Sequence, residues 1–172
     1  HEQAQRMSRL VSDLLSLSRI EASEHSRPTA SVALASVLRG VLDAVAATAR
    51  GKGVRIDLDL PPDLPAVSGD ADQLAQVFQN LVDNAIKYSP DGGAIRIDTH
   101  CEGERLCLRV GDEGPGVSPE EVERIFAPNA RGSAADVMNV PGSGMGLALA
   151  QSLARAHNGT LRLEAARPGR GA

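Results

Sequence analysis

Apolar residues recur along this chain with two different periods, and the switches between them outline its elements. From residue 1 to 24, Met7, Leu10, Leu14 and Leu17 return at steps of three and four, with Val11 and Leu15 widening the stripe. This predicts one helix with a nearly heptad seam, suited to a bundle or coiled coil. It ends near Glu24, ahead of Arg27-Pro28, because proline discourages helix in the residue before it. A second amphipathic helix is predicted over 33–50 on Leu34, Val37, Leu38, Val41, Leu42 and Val45, closed by Gly51 and Gly53. Val54 to Leu60 alternates with period two and reads as a strand, followed by a loop at Pro61, Pro62 and Pro65. A helix opens near Asp70 and carries Leu74, Val77, Phe78, Leu81, Val82, Ala85 and Ile86 to about Tyr88. After a turn at Asp91-Gly92-Gly93, strands at 95–99 and 106–110 form a hairpin around Glu102-Gly103-Glu104. A short helix at 118–125, a small-residue stretch at 127–142 with the character of a mobile loop, a long helix at 144–157 and a strand at 160–164 complete the pattern. The fold class is α+β: a two-layer sandwich with helices on one face of a mixed sheet.

Composition narrows the function. Hydrophobic residues make up 42% of the 172, enough for a real core, while two Phe, one Tyr and no Trp leave that core to Leu, Val, Ile and Ala. A net charge of −4 gives no case for nucleic-acid binding. Cys101 and Cys107 have neither metal nor redox spacing and read as reduced thiols. No apolar run reaches membrane-spanning length and no signal peptide is visible. The chain starts at His1, without Met, and reads as a fragment.

Three clusters carry chemistry. In Asn80-Leu81-Val82-Asp83-Asn84-Ala85-Ile86-Lys87-Tyr88, Asn80 and Asn84 share one helix face. Asn is a poor helix former, so propensity does not explain it there. Its amide oxygen is a neutral hard ligand, suited to Mg²⁺ already carrying phosphate oxygens and waters. Lys87, one of two lysines against sixteen arginines, supplies a point charge for phosphate. A solvated face with chance amides reads equally well. Asp112-Glu113-Gly114-Pro115-Gly116 follows a strand, where a carboxylate can accept from an exocyclic amine and the glycines admit a flat ligand. An ordinary turn explains the same residues. Gly142-Ser143-Gly144-Met145-Gly146-Leu147 opens a helix whose N–H groups can face phosphates. It is neither a Walker loop nor the dinucleotide fingerprint.

In this order and spacing, Asn-xxx-Asn-Ala-x-Lys-Tyr, Asp-x-Gly-x-Gly and Gly-x-Gly-x-Gly-Leu resemble the N box and two glycine boxes of bacterial sensor histidine kinases. Those kinases share the Bergerat-type ATP-binding fold with gyrase. Gly69-Asp70-x-Asp72, Asn158-Gly159 and Arg6 to Leu15 match the family as well, the last as the second helix of its dimerisation domain. The resemblance implies a partial dimerisation domain at 1–26 and a catalytic ATP-binding domain at 27–172. It implies that Asn84 ligates Mg²⁺, Asn80 helps place the phosphates of ATP, and Lys87 contacts the terminal ones. Tyr88 packs on adenine and Asp112 reads its amine, with Gly114 and Gly116 beside it. Gly142, Gly144, Gly146 and Leu147 form the phosphate side of a lid. Gyrase-like relatives carry a general-base Glu at the position of Asn80, so its absence favours transfer to a protein over hydrolysis.

The chain departs from the family in its F box, where Asn129 stands for a usual Phe while Phe126 remains as a packing anchor and Arg131 as a charge partner for the transferred phosphoryl group. His1-Glu2-Gln3 lacks the phosphoacceptor pattern, and the acceptor is expected upstream. One further strand is usual in the family after the point where this chain stops. Ser18-Arg19-Ile20-Glu21, Glu24-His25 and Arg27-Pro28 resemble the phosphate-regulon sensor kinases. The partners implied are a response-regulator receiver domain and the dimerisation helices of a full-length homodimer. The implied location is cytoplasmic, with an inner-membrane anchor in the parent protein. By itself the fragment is expected to be a monomer or a non-native dimer, because its stripe from Met7 to Leu17 is half covered. Rival readings are a nucleotide-binding or phosphatase-partner module with weak kinase activity, a serine kinase acting on an anti-sigma partner, and a purely structural domain.

Overall fold

In a computed structural model of the chain, the described residues are 28–164, apart from 104, 123, 129 and 131–143. The helix expected over 1–24 and most of the small-residue loop lie outside them. Eight elements follow in order: β1 (Ser31–Val32), α1 (Leu34–Gly51), β2 (Arg55–Asp59), β3 (Val67–Ser68), α2 (Ala71–Tyr88), β4 (Ala94–Glu102), β5 (Arg105–Gly111) and α3 (Gly146–Ala156).

The helix ends are fixed by local chemistry. α1 buries Leu34, Leu38, Val41, Val45 and Ala49, a stripe with the helical period. Past its C-cap Lys52, Gly53 takes φ 68, its N–H donates to Arg50 O at 3.0 Å, and Val54 N–H donates to Ala49 O at 2.9 Å. These two bonds make a Schellman motif, with the buried Val54 as its apolar partner. α3 ends the same way: Asn158 at φ 57 donates to Arg155 O, and Gly159 donates to Ala154 O. α2 begins at Asp70, whose Oδ1 accepts from Asp72 N at 2.9 Å and Gln73 N at 3.0 Å, satisfying two of the helix's orphan donors.

The main sheet has the order β2-β4-β5, with β2 parallel and β5 antiparallel to β4. The odd positions of β4, Ile95, Ile97 and Thr99, are buried among the helices, and α2 packs against both α1 and α3. The opposite face is charged, with Arg96 near Asp59 and Arg109 near Asp98. A two-stranded antiparallel ribbon, β1 with β3, sits apart from this sheet. The α+β sandwich with helices on one face of a mixed sheet is therefore the architecture observed.

Three local expectations change. The described residues of 118–125 make turns where a helix was expected. Ser118 N–H and Oγ both bond Glu121 Oε2, at 3.4 and 2.8 Å, and the backbone continues with Arg124 N–H and Ile125 N–H on Glu121 O. Only half of a capping box is present, since Glu121 reaches back to Ser118 N–H while Glu121 N–H bonds the Ser118 carbonyl and not its Oγ, and Pro128 follows too soon for a helix to elongate. Residues 160–164 make no strand ladder among the described residues. Their alternation survives as alternating exposure, with Leu161 packed on the core and Glu164 forked onto Arg109 at 3.1 and 3.2 Å. Alternation dictates which side chains face inward; a ladder also needs an aligned partner edge. In the third case, Ile125 is the buried residue of its turn, and Phe126 is only half-buried.

Candidate functional site

The site is organised by α2, which brings the first cluster against the other two. At its middle, Asn80 lies against the start of α3: a Cβ added to Gly146 would come within 3.1 Å of Asn80 Oδ1. At its C-terminal end, Tyr88 O lies against the second cluster, where a Cβ on Gly114 would meet it at 3.0 Å and Asp112 Oδ1 at 2.7 Å. At Gly114 a larger residue would force something to shift, and at Gly146 it would require the Asn80 side chain to give by a few tenths of an ångström. Asn80 and Tyr88 are eight residues apart, about 12 Å along a helix axis.

Within this span the polar groups are left with capacity for a ligand. Asn80 Nδ2 is buried without a hydrogen-bond partner. An orphaned buried amide donor is costly unless something else satisfies it. Asn84, one turn on, is half-buried, and Lys87 makes no ion pair with the described residues. The first residues of α3, Gly146 and Leu147, present N–H groups that an α-helix cannot use internally. Gly144, just ahead, takes φ 72.

Asp112 is set by its own loop. Its Oδ1 accepts from Gly114 N–H at 2.7 Å, an Asx-type turn that leaves Oδ2 for another donor. Burial pushes its carboxyl above the usual range, and the Gly114 hydrogen bond opposes that shift. Gly116 at φ 73 completes the turn. Arg131 and Gly142 lie outside the described residues; of the other ten expected site residues, four lie on α2, three in the Asp112 loop and three at or just ahead of the start of α3.

Residue patterns alone did not single out three side chains that hold this arrangement. Lys52 Nζ donates to Ile86 O at 2.8 Å and Lys87 O at 2.7 Å, capping the C-terminal end of α2 from the loop after α1. His157 Nε2 accepts from Asp70 N–H at 3.0 Å while its Nδ1 bonds Leu153 O at 2.8 Å, tying α3 to the opposite end of α2. Glu113 Oε2 accepts from Ala94 N–H at 3.1 Å and fastens the Asp112 loop to the start of β4. The scarcity of lysine was a usable signal for Lys52, the other of the two. His157 and Glu113 act through partners far away in sequence and left none.

Residues 69–172 match the profile of the histidine kinase-, DNA gyrase B- and HSP90-like ATPases. The chain belongs to that family. Its boxes and its Bergerat-type sandwich are those of a histidine kinase ATP-binding domain, as the relatives show. The adaptive-response sensory kinase SasA of a Synechococcus strain is 35% identical over 164 residues, 95% of this chain and 43% of that protein. The phosphate regulon sensor protein PhoR of Pseudomonas aeruginosa is 34% identical over 170 residues, 99% of this chain and 38% of that protein. The sensor-like histidine kinase SenX3 of Mycobacterium tuberculosis is 32% identical over 169 residues, 98% and 41%. Such close identities do not separate the phosphate-regulon group from the others. The chain spans about two fifths of the length of these relatives. Among solved structures, full-length ShkA in complex with AMPPNP superimposes with a TM-score of 0.76 at 29% identity, over 90% of this chain and 32% of that one. The mycobacterial sensor histidine kinase MprB does so at 0.70 and 28%, over 83% and 91%. Among the described residues no helix is long and apolar enough to cross a membrane.

Proposed function

We propose that this domain binds ATP together with Mg²⁺ in the span between Asp112 and the start of α3, and serves a sensor kinase by passing the γ-phosphoryl group to a histidine, for relay to a response-regulator aspartate. The observation that carries the reading is the buried, unpartnered amide of Asn80 facing Gly146 at the helix start, with Asp112 at the far end of the same helix. In this reading Asp112 Oδ2 accepts from the adenine amine, and Gly114 and Gly116 let the base lie against the backbone. Tyr88 supplies the apolar wall. Asn80 donates its free amide to the phosphates, Lys87 offsets their charge, and the N–H groups of Gly146 and Leu147 point at them from the positive helix end. Arg131 and the glycines at 142 and 144 belong to the segment that closes over the phosphates. Asn84 would hold Mg²⁺ through its amide oxygen, and the ion would supply neutralisation of the phosphate charge. The residues fit that group: the Asn84 amide oxygen is a neutral hard donor of the kind Mg²⁺ takes, while the orphaned Asn80 amide N–H and the nearby helix N-terminus suit the phosphates the ion would accompany.

Transfer to protein is favoured over hydrolysis because the position of a general base holds an amide, which cannot take a proton from water. His157 is an unsuitable acceptor, since both ring nitrogens are engaged. The acceptor in this reading is a histidine of the dimerisation helices of the whole kinase, and the membrane anchor belongs to that whole protein. That the similar ShkA was solved with AMPPNP supports the choice of nucleotide.

The test is a titration with a non-hydrolysable ATP analogue, with and without Mg²⁺, beside Asn84→Ala and Asp112→Asn. Binding that saturates, strengthens with Mg²⁺ in the parent domain and loses that dependence in Asn84→Ala supports the reading. Phosphotransfer from ATP to a separately supplied acceptor helix distinguishes a kinase from a nucleotide-binding module. A folded domain that does not bind the analogue overturns the proposal.

A further inference from the structure

We infer that the β4–β5 hairpin carries a second, independent site: a three-ligand centre for a borderline divalent transition ion of the zinc class, formed by His100, Glu102 and Cys107 on the sheet face away from the helices. In sequence the two cysteines have no metal spacing, because the ligands come from two strands. Pairing brings them together. His100 and Cys107 are directly opposite each other in the antiparallel ladder, and Glu102 follows His100 by two residues, so all three project from one face. One ligand atom from each lies within 4.8 Å of the others, and His100 Nε2 is 3.1 Å from Glu102 Oε1.

These distances are close to what a metal needs. Zinc bonds of about 2.0–2.3 Å in a tetrahedron place ligand atoms roughly 3.3–3.8 Å apart. The triad reaches that by rotamer adjustments on the order of 1 Å. One imidazole, one carboxylate and one thiolate form a mixed N, O and S set, which selects zinc, cobalt or nickel over magnesium or calcium. The carboxylate and thiolate together carry two negative charges, balancing a divalent ion. Binding forms the metal–sulfur bond and releases the thiol proton to solvent. Cys107 is held protonated beforehand by burial and by the neighbouring Glu102.

The surroundings match a site open to exchange. His100 and Glu102 side chains are 41% and 70% exposed, so a fourth position faces water. Arg105 lies opposite Glu102 in the ladder, and Arg109, engaged by Asp98 and Glu164, is close enough to act on Glu102 and Cys107 as well, so both carboxylates on Arg109 offset a positive charge that the ion would otherwise meet. Cys107 is five residues from Asp112, about 16 Å along a strand. The site is therefore separate from the one proposed for Mg²⁺ and nucleotide, and does not depend on that reading.

Cobalt(II) titrated into the reduced full chain tests it, through the thiolate-to-cobalt charge-transfer absorption, beside Cys107→Ser, Cys101→Ser and His100→Gln. The expected result is a band saturating at a single equivalent, absent in Cys107→Ser, retained in Cys101→Ser and weakened at least about tenfold in affinity in His100→Gln. Zinc should displace the cobalt, and excess Mg²⁺ should not. Circular dichroism confirms the fold of each variant, with Cys107→Ala as a replacement should the serine disturb the strand. No band, a band that follows Cys101, or an affinity indifferent to His100 would overturn the proposal and leave the triad as a hydrogen-bonded surface cluster.

Discussion

At the scale of single residues, the chain places groups where they cost stability unless a ligand uses them. Asp112 is the clearest. Its folded-state pKa is raised because burial disfavours its charge. Its contribution to stability is therefore fully present below the unfolded carboxylate value of about 3.9 and is lost as pH rises through the folded value. At neutral pH the ionised group is a liability in the free domain. Asp112→Asn keeps an oxygen for the Gly114 N–H and removes the charge. Thermal unfolding at pH 7 should show this variant as stable as the parent or more so, with the difference shrinking as pH falls toward about 4. The same substitution should weaken analogue binding at least about tenfold. A variant that loses stability at pH 7 would show that the carboxylate is favourable in the fold. Gly114→Ala behaves differently, since a Cβ would press on Tyr88 O and Asp112 Oδ1 at once. Denaturant unfolding should reveal a loss of about 1–3 kcal/mol, and nucleotide affinity should fall with it. Asn80 and Asp112 were singled out by the order and spacing of their clusters along the chain, because a solvated helix face and an ordinary turn each explain one cluster taken alone. Glu113 was not, since its partner is the N–H of Ala94.

At the scale of elements, α2 is the component on which the site depends, and both of its ends are held from outside. Lys52 receives no prompting from helical periodicity, yet it makes two bonds to the last carbonyls of α2, where a cation also suits the helix dipole. Lys52→Met should cost about 1–3 kcal/mol in chemical denaturation and hasten hydrogen exchange in the last turn of α2. Lys52→Arg should restore part of both; equal loss in the two would mean that shape, not charge, matters. At the other end, His157→Ala removes the acceptor for Asp70 N–H and the ring packed against Gly69. A loss of about 1–3 kcal/mol without a change in denaturant slope is expected. The three helices among the described residues were readable to within a residue or two because their apolar stripes are regular and their ends carry Asp70, Gly53 and Asn158. The ribbon of β1 and β3 was not, since two-residue strands have no period to detect.

At the scale of the whole molecule, one face of the sheet buries apolar side chains under three helices and the other presents exchangeable ion pairs. Arg109 joins Asp98 and Glu164 across that open face. Its side chain is 44% exposed, so Arg109→Ala should change global stability by less than about 1 kcal/mol, while amide exchange in residues 160–164 rises as their tether is lost. A larger global effect would mean that this segment is part of the cooperative core. The sequence by itself determined the alternation of helix and strand, the sandwich class, the three boxes and the chemistry each can offer, because period, caps and residue type are local properties. Only the tertiary structure decided that Asn80 meets Gly146, that Tyr88 meets Gly114, that Lys52 and His157 hold the two ends of α2, and that His100, Glu102 and Cys107 converge. Each of these depends on which distant segments pack together, and on the register in which two strands pair, and neither is written in any single stretch of the chain.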